Sequence, residues 1–223
     1  MRHHTNRGYD SQLQRIRHAL LRMSGQVEVM LADAATALAT RNHALADQVE
    51  TQDRTVDQYE GQIDDLCLAT LARWHPVASD LRFIVLALKA VRDLERIGDL
   101  ATHVATTSTA LEHPQYPWTW DQATDMAQLT REMIHRAMDA MLQDDTDLAA
   151  AVIGQDAEVD RHYNQMFYNV LAGMQRNQVL VADGLHCLSV AKWLERAADH
   201  ATNLAEYVIF ASKGVHIRHS PPK

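Results

Sequence analysis

Apolar side chains recur along this chain at the three- to four-residue spacing of amphipathic helices. The first stripe runs through residues 13–38, and Asp10 or Ser11 before it can cap the start of a helix. A second stripe follows Asn42, another capping residue. It ends at His75-Pro76, because proline disfavours helix in the residue before it. The first third of the chain therefore predicts two long helices.

Four further helices can be predicted from the same spacing. The third runs from about Pro76 or Ser79 to about Leu111, and the sequence HPQYP at 113–117 then breaks the pattern. A capping-box pattern at Thr119 predicts the start of the fourth. The remaining predictions are a turn at 144–146, a fifth helix through 148–170, and a sixth from about Asp183 to about Lys213.

The two halves of the chain repeat one another. Residues 31–57 match residues 134–160 at a shift of 103 positions, so that Asp57 corresponds to Asp160. Further along, the segment 94–99 corresponds to 194–199 at a shift of 100 positions. We therefore predict an all-α fold of six long antiparallel helices forming two similar three-helix bundles. The predicted repeats are residues 1–113 and 114–223.

Composition excludes several classes of function. A net charge of -8 without any run of Lys or Arg argues against nucleic acid as a partner. The most apolar run, 83–91, is short and contains Lys89, so we expect no membrane span. Cys67 and Cys187 lack CxxC spacing, which indicates buried free thiols in a reducing compartment. We expect a soluble cytoplasmic protein.

One acidic motif occurs in both repeats. Glu95 and Asp99 are four residues apart, as are Glu195 and Asp199, so each pair lies on one helix face. Both pairs continue an apolar stripe, because Leu88 and Leu188 each precede the glutamate by two helical turns. Carboxylates on such a stripe are costly unless a cation neutralises them. The duplication points to metal binding.

The neighbouring helices supply more candidate ligands at helical spacing. If adjacent helices face each other, four or five oxygen ligands converge in each half, a donor set that suits Mg, Mn, Fe or Zn. The alternative is a solvated face with Arg92, Arg96 or Arg196 as partners. The candidate ligands are Glu95, Asp99, His103, Asp53, Asp57 and Glu60 in the first half, and Glu195, Asp199, Asn203, Asp156 and Asp160 in the second.

These residues resemble a known family. The segment 194–206, LERAADHATNLAE, is similar to the signature of PhoU proteins, which regulate phosphate transport and signalling in bacteria. The first half agrees, since 76–82 resembles the P-x-A-x-D-L-R segment of that family and 94–99 its first metal motif. The resemblance extends from about Leu13 to about Val215 in the order and repeat spacing of the family.

The resemblance implies a metal-binding adaptor without catalysis. It implies two three-helix bundles, a dimer, and repression of the phosphate-starvation response when phosphate is plentiful. Its partners would be PstB, the ATPase of the phosphate ABC transporter, and the sensor kinase PhoR, so it would act peripherally to a membrane complex. The motif residues Glu95, Asp99, Glu195 and Asp199 match the metal motifs of the family, and Asp57, Glu60 and Asp160 match its acidic positions.

Two departures from the family pattern concern the ligands. His103 stands where the first repeat often has Asn, and its imidazole would favour Zn or Fe, unless it is a surface residue. Tyr163 stands where Glu60 would repeat, so we expect the second site to be poorer in ligands. At the start of the third helix, Asp80 and Arg82 either bind a partner or serve capping and local pairing.

Three other functions fit parts of the pattern. A ferritin-like carboxylate di-metal oxidase also places acids on a helical bundle, but it needs Glu-x-x-His on two helices. Here only Glu132 and His135 fit, away from the duplicated motifs. A plain helical scaffold, or a family member that regulates a different transporter, remains open. Bound metal, oxygen consumption and the transporter affected would discriminate among them.

Overall fold

A computed structural model describes residues 7–111 and 117–213, and over this part every element is helical. The predicted all-α fold with six long helices is confirmed. A short 3₁₀ turn, Gln178–Leu180, precedes the last helix. The helices are α1 (Arg7–Thr40), α2 (His43–Trp74), α3 (Ala78–Ala110), α4 (Pro117–Gln143), α5 (Thr146–Arg176) and α6 (Val181–Lys213).

Three predicted helix starts differ from the structure by about one turn or less. Helix α1 already includes Asp10 and Ser11, so neither residue caps it. Helix α4 begins at Pro117, because proline is well accommodated in a first helical turn, and Thr119 therefore lies inside the helix. Helix α6 begins two residues earlier than expected. The predicted break at 113–117 lies almost wholly outside the described residues.

The turns that join α1 to α2 and α4 to α5 are copies of each other. The side chain of Asn42 accepts a hydrogen bond from an amide in the first turn of α2. At the equivalent position, Asp145 accepts from two amides at the start of α5. The preceding residues, Arg41 and Asp144, both have a left-handed backbone, with φ of 52° and 55°. The sequence repeat is thus also a repeat of backbone geometry.

The two repeats share one hydrophobic core. Within each repeat the three helices pack against one another, and between repeats α3 lies along α6 while α1 lies along α4. In the described part of the chain, α2 and α5 pack only against helices of their own repeat. Both cysteines are buried and neither forms a disulfide, as predicted. The acidic positions of α2 and α5 therefore belong to the grooves facing α3 and α6.

Exposed apolar side chains concentrate at two equivalent places. Eight of the ten large hydrophobic residues that are exposed in the described part lie around the α2–α3 and α5–α6 turns. Over the described ranges 7–111 and 117–213, no helix is long and apolar enough to cross a membrane. The eight are Leu68, Val77, Leu81 and Val85 in the first repeat, and Tyr168, Val179, Val181 and Leu185 in the second. We call them the first and the second apolar patch.

Candidate metal centres

The first acidic cluster forms in the groove between α2 and α3. Close approach of the helices is possible at Gly98, where an added Cβ would lie 3.3 Å from Asp53 Oδ1. Asp53 is partly buried against this glycine. We define the first acidic cluster as Asp53, Asp57 and Glu60 of α2 together with Glu95 and Asp99 of α3.

The carboxylates of the first acidic cluster lie near enough to one another to interact electrostatically. Burial raises the pKa of Asp53, and the charges of Asp57 and Asp99 raise it further. The pKa of Glu95 is likewise raised, by burial first and then by the charge of Asp99, with smaller contributions from Glu60 and Asp57. A raised carboxyl pKa means that the protein surroundings oppose the negative charge. Carboxylates from the two adjacent helices therefore influence one another, and their convergence on a shared metal ion stays a prediction.

Arginine offsets part of this charge. Arg96 places its Nη1 atom 3.0 Å from Asp99 Oδ2 and its Nε atom 3.5 Å from Glu95 Oε2. The sequence analysis left open that these carboxylates pair with arginines on a solvated helix face, and Arg96 provides such pairing here. Because Arg96 is exposed, its pairing is screened by water and contributes little stability. The pKa of Glu95 stays raised, chiefly by burial, although the charge of Arg96 lowers it.

The second acidic cluster forms in the equivalent groove between α5 and α6. We define it as Asp156, Asp160, Glu195 and Asp199. Burial raises the pKa of Asp156 to about 6, and the charges of Asp199, Asp160 and Glu195 add to the effect. The hydroxyl of Thr202 donates to Asp156 Oδ1 at 3.4 Å, which only partly opposes this rise. The second cluster thus also gathers carboxylates that repel one another.

A lysine changes the second cluster relative to the first. Lys192 Nζ lies 2.6 Å from Glu195 Oε2 and sits over the ring of Tyr163, 5.6 Å from its centroid. Tyr163 occupies the position at which Glu60 would repeat, so a cation–π contact replaces one carboxylate. Burial, followed by the charges of Glu195 and Asp160, raises the pKa of Asp199. This cluster therefore has one carboxylate fewer and one amine more.

His103 and Asn203, which follow Asp99 and Asp199 by one helical turn, lie at the contact between the two repeats. His103 is exposed and stacks on Trp193 of α6, with ring centroids 5.2 Å apart. Asn203 donates from Nδ2 to Asp93 Oδ1 of α3 at 3.1 Å, and His200 Nδ1 lies 2.6 Å from the same oxygen. Both residues therefore contact the other repeat, and their roles as ligands stay predictions.

The sequence analysis did not predict these contacts between the repeats, although the position of Asp93 on an apolar stripe could have indicated them. Asp93 is buried on a stripe of α3 that is otherwise apolar, and a buried charge calls for a partner. Its counterpart in the repeat is Trp193, and that of His103 is Asn203. The Asp93–Asn203 and Trp193–His103 contacts are thus the same contact, made once in each direction. Only the packing of α3 on α6 reveals this relation.

The residue types of both acidic clusters fit a hard cation, but their side chains are not arranged around a common point. The oxygen-rich donor set of both clusters is what Mg, Mn or Fe prefers. The pKa values of Asp53 and Asp156 are raised first by burial and then by the charges of neighbouring carboxylates, a repulsion that a bound cation would offset. Over the described ranges, no three His, Cys, Asp or Glu side chains are already arranged to hold a metal ion. A bound cation would require these side chains to rotate toward it.

Two other predicted features have contacts within the chain. Asp80 accepts a hydrogen bond from the Tyr9 hydroxyl at 2.9 Å, and Arg82 Nε donates to the carbonyl of Ala211 at 2.7 Å. Both contacts tie the start of α3 to other helices, so partner binding by Asp80 and Arg82 stays a prediction. The single Glu132–His135 pair lies on α4, where the His135 ring is 3.7 Å from Glu28 of α1 and far from either cluster in sequence.

Comparison with known proteins agrees with this duplicated architecture. The family model described as "PhoU domain" matches residues 20–107 and 123–208, one match in each repeat. The crystal structure of PhoU from Pseudomonas aeruginosa superposes with a TM-score of 0.88 at 36% identity, covering 93% of this chain and 100% of that one. A regulatory PhoU structure from Streptococcus pneumoniae, at 24% identity and a TM-score of 0.86, supports the fold.

Curated relatives match over almost the whole chain. A "Phosphate-specific transport system accessory protein PhoU homolog" from Pseudomonas putida is 36% identical over 97% of this chain and 85% of its own length. The Escherichia coli (strain K12) protein of similar name, PhoU, is 30% identical over 97% of this chain and 90% of its own length. On the evidence of its fold, its two matched repeats and these relatives, the chain belongs to the PhoU family.

Proposed function

We propose that this protein is a cytoplasmic, non-catalytic regulator of phosphate transport that binds metal ions at both acidic clusters. The observation that carries the proposal is similarity to phosphate-specific transport accessory proteins over 97% of the chain. The clusters support the metal-binding part, because both repeats keep neighbouring carboxylates, some of them partly buried, whose mutual repulsion a cation would relieve. Candidate ions are Fe, Zn, Mn and Mg.

The adaptor role requires surfaces for other proteins. We propose that the chain links a PstB-like ATPase of the phosphate ABC transporter to a PhoR-like sensor kinase, and that it acts as a homodimer. The two apolar patches support this role, because exposed clusters of large hydrophobic side chains commonly mark sites of protein contact. Their equivalent positions in the two repeats would give one chain two similar docking surfaces.

A deletion experiment tests the regulatory role. Deleting the gene should raise expression of phosphate-starvation genes in phosphate-rich medium, and a plasmid copy of the wild-type gene should restore repression. A Glu95→Gln/Asp99→Asn copy should restore repression less well, because it removes two carboxylates from the first acidic cluster. Unchanged expression in the deletion strain would contradict the proposal, and altered uptake of another ion would instead identify a paralogue of different specificity.

A binding experiment tests the proposed docking surfaces. Leu81→Glu/Val85→Glu should reduce co-purification of a PstB-like ATPase, because charge replaces exposed apolar contact area. Val29→Glu is the matched control, since Val29 is also exposed but lies on α1 outside both patches. Equal recovery of the ATPase with all three proteins would remove the first apolar patch from the adaptor account.

A further inference from the structure

A groove between α1 and α2 of the first repeat carries positive charge in an otherwise acidic protein. It is an open groove with a volume of about 500 Å³, within the range of small-molecule sites. The chain as a whole has a net charge of -8, so a local concentration of cations needs its own explanation. The groove is lined by Arg15, His18, Leu21 and Arg22 of α1 and by Gln62 and Leu66 of α2.

The basic side chains that line this groove form no ion pair with a carboxylate within the described residues. The Arg15 guanidinium donates to the side-chain oxygen of Gln12 at 3.4 Å. Arg22 lies over the ring of Tyr59, 5.4 Å from its centroid, and none of the ion pairs in the described ranges includes Arg15, His18 or Arg22. Both guanidinium groups therefore keep hydrogen-bond donors available to a ligand.

The second repeat shows that the fold does not require His18 and Arg22 at these positions. At the shift of 103 positions, His18 corresponds to Asp121 and Arg22 to Asp125, while Gln62 remains a glutamine as Gln165. Because the two helix pairs are joined by the same turn, the equivalent positions belong to the same helical framework, and two of them carry acidic side chains in the second repeat. The positive groove is thus a property of the first repeat and not of the architecture.

The chemistry of the lining side chains identifies the ligand class. A guanidinium fork matches the oxygens of a phosphate group, and Arg15 and Arg22 lie two turns apart on one face of α1, with His18 between them. Leu21 and Leu66 offer an apolar surface for the carbon part of a ligand. We propose that this groove binds a phosphate group, with the apolar floor favouring one carried on an organic molecule.

Direct binding to the full-length protein tests the proposal. Inorganic phosphate, AMP, and vesicles containing phosphatidylglycerol would be compared by calorimetry or co-sedimentation, with phosphatidylcholine vesicles as the lipid control. Binding of at least one phosphate-bearing probe is expected, and Arg15→Gln/Arg22→Gln should weaken it by about tenfold or more. The probe that binds best identifies the source as free phosphate, nucleotide or lipid headgroup.

Two further variants keep this test decisive. His18→Asp/Arg22→Asp installs the residues of the second repeat, so it should fold normally and lose binding. Arg161→Gln/Arg176→Gln removes the same charge from exposed positions outside the groove and should bind as the wild type does. Absence of binding by all probes, or equal binding by the groove variants and the wild type, would overturn the proposal.

The proposal does not depend on the metal-binding function. The groove shares no residue with either acidic cluster, so the groove variants should retain the metal content of the wild type. Phosphate binding that survives both groove variants would place the anion elsewhere in the protein and would count against this site. Phosphate binding therefore tests the groove and metal content tests the acidic clusters, so that either prediction can fail without the other.

Discussion

At the scale of single residues, the central feature is the cost of ionised carboxylates that are partly buried beside one another. Asp156 shows the cost most clearly, because its pKa in the folded protein is about 6 against an ordinary value of 3.8. A carboxyl with a raised pKa stabilises the fold below its ordinary pKa, and that contribution is lost as the pH rises through the folded value. The apo protein therefore carries an electrostatic penalty at neutral pH.

Asp156→Asn tests this penalty. In protein treated with a chelator, the variant should be more stable than the wild type at pH 7 by about 1 kcal/mol, a value reduced for solvent screening of a half-exposed group. The gain should disappear near pH 4, where the wild-type carboxyl is protonated. Urea unfolding at both pH values measures it, with Asp47→Asn, an exposed site outside both clusters, as the control. A destabilised variant at pH 7 would contradict the argument.

At the scale of helices, sequence periodicity predicted the structure well because it is local information. Six helices, the repeat and the two acid-bearing faces all follow from spacing within a helix or across one hairpin. Helix starts were less accurate, since Pro117 begins α4 where Thr119 was expected to cap it. The His200–Asp93 and His103–Trp193 contacts could not be predicted, because they depend on how the two repeats pack.

Close packing of α5 on α6 gives a prediction at this scale. A Cβ added at Gly184 would lie 2.5 Å from Met174 Sδ, so Gly184→Ala should destabilise the protein by about 1–2 kcal/mol as the methionine is displaced. Gly154→Ala is the control, because nothing lies within 4 Å of that position in the middle of α5. It should instead stabilise by up to about 1 kcal/mol through helix propensity. Equal unfolding midpoints in urea would contradict the packing argument.

The paired turns give a second prediction for the helices. Asn42→Ala and Asp145→Ala should each reduce the free energy of unfolding by about 1 kcal/mol, because each removes a side chain that accepts amide hydrogen bonds at a helix start. Thermal or urea unfolding of the two variants provides the measurement. Ser212→Ala, near the exposed end of α6, should leave stability unchanged within error. A large difference between the two cap variants would argue against equivalent turns.

At the scale of the whole molecule, the repeats behave as one structural unit because they share a core. The contact of α3 with α6 is polar at one end, through Asp93, and aromatic at the other, through Trp193. This contact follows the acidic pairs along both helices, since His103 and Asn203 lie one helical turn beyond Asp99 and Asp199.

Removing the Asp93 contact tests whether the two repeats unfold as one cooperative unit. Asp93→Ala leaves His200 and Asn203 without their buried acceptor, so it should lower the free energy of unfolding by about 2–3 kcal/mol. Asp139→Ala, a partly exposed aspartate on α4, serves for comparison. Circular dichroism and tryptophan fluorescence should report one coincident transition in urea. Two separate transitions would show that the repeats unfold independently.

The most direct test of the account is the metal content of the purified protein after loading with Fe, Mn, Zn or Mg and removal of free ions. The wild type should retain metal, and Glu95→Gln/Asp99→Asn and Glu195→Gln/Asp199→Asn should each lose about half of it, since each removes two oxygen ligands from one cluster. The combined variant should retain none while keeping its helical spectrum. A wild type that retains no metal, or a combined variant that retains as much as the wild type, would contradict the claim that cations neutralise the duplicated carboxylates.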